Sequence, residues 1–286
     1  MAFGYTVAMA AATQHNILIF DSGVGGLSIN DEILAQLPDV VVTYVADNRI
    51  YPYGTLSEQA LIERIIHLFP RLIERFQPEA IVIACNSAST LVLDHLREQT
   101  ATPVIGVVPA IKPAAAITQS RHIALLATPG TVRRAYTDRL IQDFASFCRV
   151  DRIGSNELVH QAENKLRGLP VDQDEIARIL APVREQSNLD TLVLGCTHFP
   201  FLRQEIAAIL GEKVTLIDSG KAIAKRTEFI LQTLIKPTVP SPGQHPSKNR
   251  ENHQACFIFT KDNPEAQRLI PMLARHGFHR IEFIDH

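Results

Sequence analysis

Short runs of apolar residues alternate along this chain with longer stretches in which apolar side chains recur every three or four positions. The runs fall at 17–20, 40–45, 80–84, 104–108, 123–127, 150–154, 191–194, 214–217, 257–259 and 281–284, and each reads as a strand. Between them the spacing predicts helices. One carries Ile33, Leu34 and Leu37. Another, over 57–76, carries Leu61, Ile65, Ile66, Phe69, Leu72, Ile73 and Phe76, and Pro70 is expected to kink or divide it. A third carries Leu91, Leu93 and Leu96, and more are predicted over 110–119, 131–146, 157–167, 174–186, 202–210, 221–236 and 264–276. Residues 1–15 read as a loose arm of small side chains. The segment 237–254 holds four prolines and almost nothing apolar, which predicts a surface loop.

Apolar runs alternating with amphipathic helices indicate an α/β fold with mostly parallel sheets covered on both faces. Ten strands are too many for one comfortable open sheet, so two α/β units are expected. Ligands of such sheets bind beyond the carboxyl ends of the strands. The polar clusters lie there: Asp21-Ser22-Gly23, Asp47-Asn48, Cys85-Asn86-Ser87, Gly195-Cys196-Thr197-His198 and Asp218-Ser219-Gly220.

Composition narrows the function. The 286 residues are 46% hydrophobic and 20% charged, enough apolar surface for a large core and too much for a disordered chain. Lys and Arg total 28 against 30 for Asp and Glu, a net charge of −2, so the overall basic field of a nucleic-acid binder is missing. No apolar run is long enough for a membrane span. The stretch 7–12 lacks a preceding basic residue and makes a poor signal peptide. Four cysteines stand far apart, unlike a zinc knuckle or a disulfide scaffold. A reduced, cytoplasmic enzyme is the expectation.

Two of those cysteines have matching surroundings. Ile81-Val82-Ile83-Ala84-Cys85-Asn86-Ser87 and Leu192-Val193-Leu194-Gly195-Cys196-Thr197-His198 each run from strand to small residue to Cys to hydrogen-bonding side chains. A Cys between a strand and a helix sits near backbone N–H donors and the positive end of a helix dipole, both of which favour thiolate. A lone Cys is more often a small buried hydrophobe, and Cys148 and Cys256, without polar neighbours of this kind, are read so. Asp21 closes the first strand and could orient an ammonium or relay a proton. Gly23-Val24-Gly25-Gly26 lacks the dinucleotide spacing and better suits close backbone approach to a small ligand. His198 could assist Cys196, or be an exposed loop histidine. Tyr51-Pro52-Tyr53-Gly54 is an aromatic turn that could equally be a packed loop. Glu157 and Glu163 lie six residues apart on one predicted helix, hence on different faces, and either could be merely solvated.

Phe20-Asp21-Ser22-Gly23-Val24-Gly25-Gly26-Leu27, Ala46-Asp47-Asn48, Tyr53-Gly54, Ala84-Cys85-Asn86 and Gly195-Cys196-Thr197-His198-Phe199-Pro200 together resemble the glutamate racemases of the cofactor-independent aspartate/glutamate racemase superfamily. The resemblance covers about 16–286. His198 favours glutamate racemases over aspartate racemases, where Glu usually takes that position. The resemblance implies two α/β domains with the active site between them, one from about 1–107 plus 220–286 and the other from 108–219. It implies Cys85 and Cys196 as paired acid/base thiols, Asp21 supporting the first and His198 the second, with Glu163 as a looser match to a further supporting carboxylate. Asp21, Ser22, Tyr53, Gly54, Asn86, Ser87, Thr197 and His198 would contact the amino acid. Ser87 stands where the family commonly has Thr, which keeps the hydroxyl and loses a methyl.

The same resemblance implies interconversion of L- and D-glutamate with no cofactor and no metal. Cys196 would deprotonate the L enantiomer and Cys85 the D enantiomer, in a homodimer that supplies D-glutamate for peptidoglycan. Two bases on opposite faces of Cα solve the stereochemistry, since a single base tends to return the proton where it came from. No lysine stands in a motif that would hold pyridoxal phosphate. The alternative is a sister racemase acting on aspartate or a hydantoin. Cofactor-free decarboxylases on related scaffolds generally keep one thiol of the pair, an amino-acid-binding protein would not exchange the Cα proton, and no C-x-x-C supports thiol redox chemistry.

Overall fold

The computed structural model describes residues 14–234 and 254–284. The arm at 1–13 and nearly all of the expected 237–254 loop lie outside the described residues. Among the described residues, ten strands form two parallel sheets. The first has six strands in the order β10-β9-β2-β1-β3-β4, and the second has four in the order β6-β5-β7-β8. The first sheet comprises β1 (Asn16–Asp21), β2 (Val41–Ala46), β3 (Ala80–Ile83), β4 (Val104–Gly106), β9 (Cys256–Phe259) and β10 (Arg280–Phe283). The second comprises β5 (His122–Ala127), β6 (Arg149–Gly154), β7 (Thr191–Leu194) and β8 (Thr215–Ile217). The chain thus leaves the first sheet after β4, builds the second, and returns for β9 and β10. The predicted α/β class and all ten strands are present.

Alternate residues of each strand pack on opposite faces, which is why the runs are continuously apolar. On β1, Ile17 and Ile19 join one core with Leu27 and Ile33 of α1 (Leu27–Gln36) and with Ile223, Ala224 and Leu231 of α10 (Gly220–Leu234). Leu18 and Phe20 join the opposite core with Leu61, Ile65, Phe69 and Leu72 of α2 (Glu58–Phe76) and with Val92 and Leu96 of α3 (Asn86–Gln99). The second sheet is covered likewise. Leu126, Leu192 and Leu194 meet α7 (Glu157–Leu166), α8 (Gln173–Arg184) and α9 (Arg203–Leu210) on one side. Ile123, Leu125 and Val193 meet α4 (Ile111–Ile117) and the segment beyond it on the other.

Two helices depart from the prediction. The α2 helix, capped by Ser57 Oγ accepting from Ala60 N, runs undivided through Pro70. Pro70 is on the exposed side, where water can meet the carbonyl that its missing N–H leaves free, while the buried apolar stripe holds the helix to the sheet. The helix expected over 131–146 is instead two, α5 (Pro129–Arg133) and α6 (Ala135–Ala145), separated by Arg134 in an extended conformation, φ −74° and ψ 143°. No Gly or Pro marks that break; its cause is tertiary. Past α10, α11 (Pro264–Leu273) completes the helices. No helix among the described residues is long and apolar enough to cross a membrane.

Candidate active site

The carboxyl ends of β1, β3 and β7 converge on one small cavity. Asp21 is the last residue of β1, and Cys85 follows β3 as the N-cap of α3. Cys196 follows β7 through Gly195, where an added Cβ would lie 2.7 Å from Leu125 Cδ1, so only glycine lets the turn pass this close to β5. Cys85 and Cys196 therefore approach from different sheets and line the same cavity. With them are Asp21, Ser22, Tyr53, Gly54, Asn86, Ser87, Thr197 and His198. The space open to the centre of a water molecule is about 20 Å³, room for about one water. A groove of about 630 Å³ elsewhere on the molecule, lined by Asp31, Arg203 and Lys221 among others, contains neither thiol. Size does not mark the chemistry here.

Around Cys85 the environment is acidic and dry. Its Sγ lies 3.8 Å from Ser22 Oγ. Burial and the neighbouring charge of Asp21 push the thiol far above its ordinary range, so Cys85 rests protonated. Asp21 accepts from Ser22 N at 2.6 Å and from Thr197 Oγ1 at 3.0 Å. Burial nevertheless lifts its carboxyl, against the opposing pull of His198 and of those donors. Because Thr197 belongs to the second sheet's unit, the Thr197–Asp21 bond ties the two walls together. Ser28 Oγ adds a second tie, donating to Thr197 O at 2.8 Å.

On the Cys196 side a relay runs outward from the sulfur. His198 Nδ1 lies 3.9 Å from Cys196 Sγ, and Nε2 lies 3.1 Å from Glu163 Oε1. Arg167 donates to the other oxygen of Glu163. Burial disfavours the imidazolium, but hydrogen bonds and charge from Cys196 and Glu163 outweigh it and push His198 up to about 10. Burial also disfavours the Glu163 carboxylate, yet His198 and Arg167 hold it below its ordinary range. His198 is thus a buried cation at neutral pH rather than an exposed loop histidine. Of the two glutamates on α7, it is Glu163 that meets His198. Glu157 accepts from Ser155 Oγ at 2.8 Å, at the helix start.

The His198 shift carries a stability signature. Folded, the ring keeps its proton to about 10; unfolded, it loses it near 6.5. Above 6.5 the folded state therefore binds a proton that the unfolded state has released, so this contribution is complete below 6.5 and declines as pH rises toward 10. Urea midpoints measured from pH 6.5 to 10 are expected to fall more steeply for the wild type than for His198→Asn. Parallel curves would refute the assignment.

Tyr53 reaches the cavity because Asp47 pins it. The fully buried Asp47 carboxylate accepts from Tyr53 Oη at 2.5 Å, Arg64 Nη2 at 2.7 Å and Thr260 Oγ1 at 2.6 Å. Asp47→Asn is expected to cost about 1.5–3 kcal/mol, since a carboxylate that accepts from Tyr53, Thr260 and both Nε and Nη2 of Arg64 loses its charge and one acceptor oxygen. Chemical denaturation reads the loss, and a midpoint within error of wild type would show that Asp47 holds little.

Five lining residues were not singled out as contacts from the sequence: Tyr51, Pro52, Thr128, Asn156 and Val159. Thr128 and Asn156 do follow the carboxyl ends of β5 and β6, which is the available signal, but polar residues at strand ends are too common to select them. Thr128 Oγ1 lies 3.0 Å from Ser87 Oγ, so the Ser87 hydroxyl is held by the opposite unit.

Comparison with known proteins shows the family to which the chain belongs. The Asp/Glu/hydantoin racemase family matches residues 28–227. The chain belongs to this family. A glutamate racemase from Shewanella loihica is 55% identical over 263 residues, covering 92% of this chain and 93% of its own. Among solved structures, Escherichia coli glutamate racemase in complex with L-glutamate and the activator UDP-MurNAc-Ala superposes with a TM-score of 0.85 at 43% identity, covering 95% of this chain and 98% of that one. The Francisella tularensis glutamate racemase in complex with D-glutamate gives 0.74 at 25% identity, covering 95% and 98%. As a member of the Asp/Glu/hydantoin racemase family, the chain is an isomerase by class.

Proposed function

We propose that this racemase interconverts L- and D-glutamate by proton transfer between two thiols across the α carbon. The observation that carries the proposal is the position of Cys85 and Cys196, brought from separate sheets to one small cavity. In one direction the Cys196 thiolate takes the Cα proton of L-glutamate, and the Cys85 thiol then delivers its own to the opposite face of the carbanion. The products are D-glutamate, a Cys196 thiol and a Cys85 thiolate. In the other direction the roles exchange. Cys85, kept protonated by burial beside Asp21, is suited to deliver first. His198, holding its proton opposite Cys196, is suited to balance negative charge on that sulfur.

The carbanion that forms at Cα needs hydrogen bonds to the substrate carboxylate from preorganised donors. Asn86, Ser87, Thr128, Asn156 and Thr197 supply amides and hydroxyls around the cavity. We take 1–107 with 220–286 as one closing unit and 108–219 as the other. The reading includes a homodimer in the cytoplasm whose product supplies peptidoglycan synthesis.

Circular dichroism of L-glutamate, followed without added pyridoxal phosphate, tests the function. The signal is expected to decay to zero at equal amounts of the enantiomers, with aspartate turned over far more slowly. Turnover of aspartate with none of glutamate would replace this reading by the sister activity.

A further inference from the structure

Arg134 plays no part in the reaction as described, yet it occupies a costly position. It interrupts the helical run at the α5–α6 junction, and its side chain leaves the second sheet's unit and crosses into the first. There Nη1 donates to the Ser87 carbonyl and to Thr90 Oγ1, the latter at 2.7 Å. Thr90 Oγ1 itself donates to the Asn86 carbonyl at 3.1 Å. Arg134 therefore grips the first turn of α3 immediately behind Cys85, Asn86 and Ser87, three residues that line the cavity.

The grip alone does not require a charge, because a neutral amide could donate to the same oxygens. Arg134 is 6% exposed, and its buried Nε has no hydrogen-bond partner. Glu58 Oε1 lies 3.4 Å from Nε, but that carboxylate is 63% exposed and largely screened. A guanidinium buried with so little to neutralise it is unfavourable unless another negative charge appears nearby. Cys85 becomes negative once it has delivered its proton, and it lies within electrostatic reach: its charge, together with the charge and hydrogen bonding of Glu58, favours the Arg134 cation against the effect of burial. The cavity as closed has room for about one water, so an amino acid enters only when the walls part. Parting them withdraws Arg134 from α3.

We propose that Arg134 is a positioning residue that couples closure of the two units to proton transfer at Cys85, fixing the first turn of α3 and placing a positive charge behind the thiolate that forms there. The proposal rests on the two-thiol racemisation above. The rates of the wild-type chain on both enantiomers test that reading separately, since failure there needs no Arg134 variant.

The experiment compares wild type, Arg134→Gln and Arg134→Lys in the full chain, with protonated and α-deuterated L- and D-glutamate. In Arg134→Gln, kcat/KM is expected to fall by roughly 10–100-fold, the effect of losing a charge-assisted contact. The loss is equal in both directions because the enantiomers have equal free energy. The isotope effect separates the roles. Raising the barrier at Cys85 increases the primary deuterium effect on kcat/KM for the enantiomer that Cys85 deprotonates and decreases it for the other. Arg134→Lys keeps the charge but loses the planar fork, so KM rises while the isotope pattern stays near wild type. If Arg134→Gln does not fold, Arg134→Lys decides, and an unchanged KM overturns the proposal. Wild-type isotope effects in a folded Arg134→Gln enzyme, whatever its loss of rate or melting temperature, would make Arg134 a structural strut and overturn it equally.

Discussion

Alanine at either Cys85 or Cys196 is expected to lower glutamate racemisation by roughly 10⁴-fold, because in the proposed reaction each sulfur contributes a full acid or base function that no neighbour can assume. The other groups near Cα are poorly placed to substitute. Asp21 is committed to Ser22 and Thr197, and His198 lies behind Cys196, held on its far side by Glu163. The fold should survive both changes, since each thiol sits where a hydrophobic core meets the polar cavity, and removing one sulfur there leaves only a small void. Optical rotation measures racemisation, and deuterium wash-in at Cα measures deprotonation independently. A Cys85→Ala/Cys196→Ala double variant is expected to show neither. Wash-in at the wild-type rate in that variant would end the two-thiol mechanism, whatever the rotation assay showed.

Gly25→Ala should be nearly as damaging for a purely steric reason. A Cβ at this position would lie 2.3 Å from His198 Nδ1 and 2.6 Å from Cε1, far inside contact distance. The ring has little room to retreat, with Nε2 bonded to Glu163 and the Tyr51 ring centroid 6.2 Å away. The collision falls on the nitrogen that faces Cys196. Displacing that nitrogen by about 1 Å removes its assistance to the sulfur, and kcat is expected to fall roughly 10³-fold, about 4 kcal/mol in barrier. Stability should fall less, by about 1–3 kcal/mol, as for other overpacked sites. Steady-state kinetics beside a thermal melt separates the two effects. A folded Gly25→Ala enzyme with wild-type kcat would show that His198 does not need its observed position.

Much of this molecule can be read from periodicity. Strands buried on both faces have to be continuously apolar, so runs such as Ile17-Leu18-Ile19-Phe20 and Thr191-Leu192-Val193-Leu194 stand out against amphipathic helices, and their alternation specifies parallel sheets. Boundaries that depend on distant contacts do not show. Pro70 carries a strong local signal to break its helix, and the sheet beneath α2 overrides it. At Arg134 the local signal is for an unbroken helix, and contacts with Ser87 and Thr90 of the other unit accompany the break.

The candidate site divides in the same way. Residue types and their places at strand ends were legible for Cys85, Cys196, Asp21 and His198, because a strand-end thiol followed by hydrogen-bonding side chains is visible in a linear string. Which groups meet was not. Glu157 and Glu163 are equivalent as sequence, and only the packing of α7 against the loop after β7 puts Glu163 beside His198 and leaves Glu157 with Ser155. Thr128 and Asn156 enter from strand ends with nothing local to mark them.

The sequence by itself determined the α/β architecture, the run of strands and the matched surroundings of Cys85 and Cys196, since these follow from local periodicity and side-chain chemistry. Only the tertiary structure decided the protonation of His198 and Cys85, the partner of Glu163 and the reach of Arg134 across to α3. Those properties depend on burial and on charges a few ångströms away, and residues that close in space are far apart along the chain.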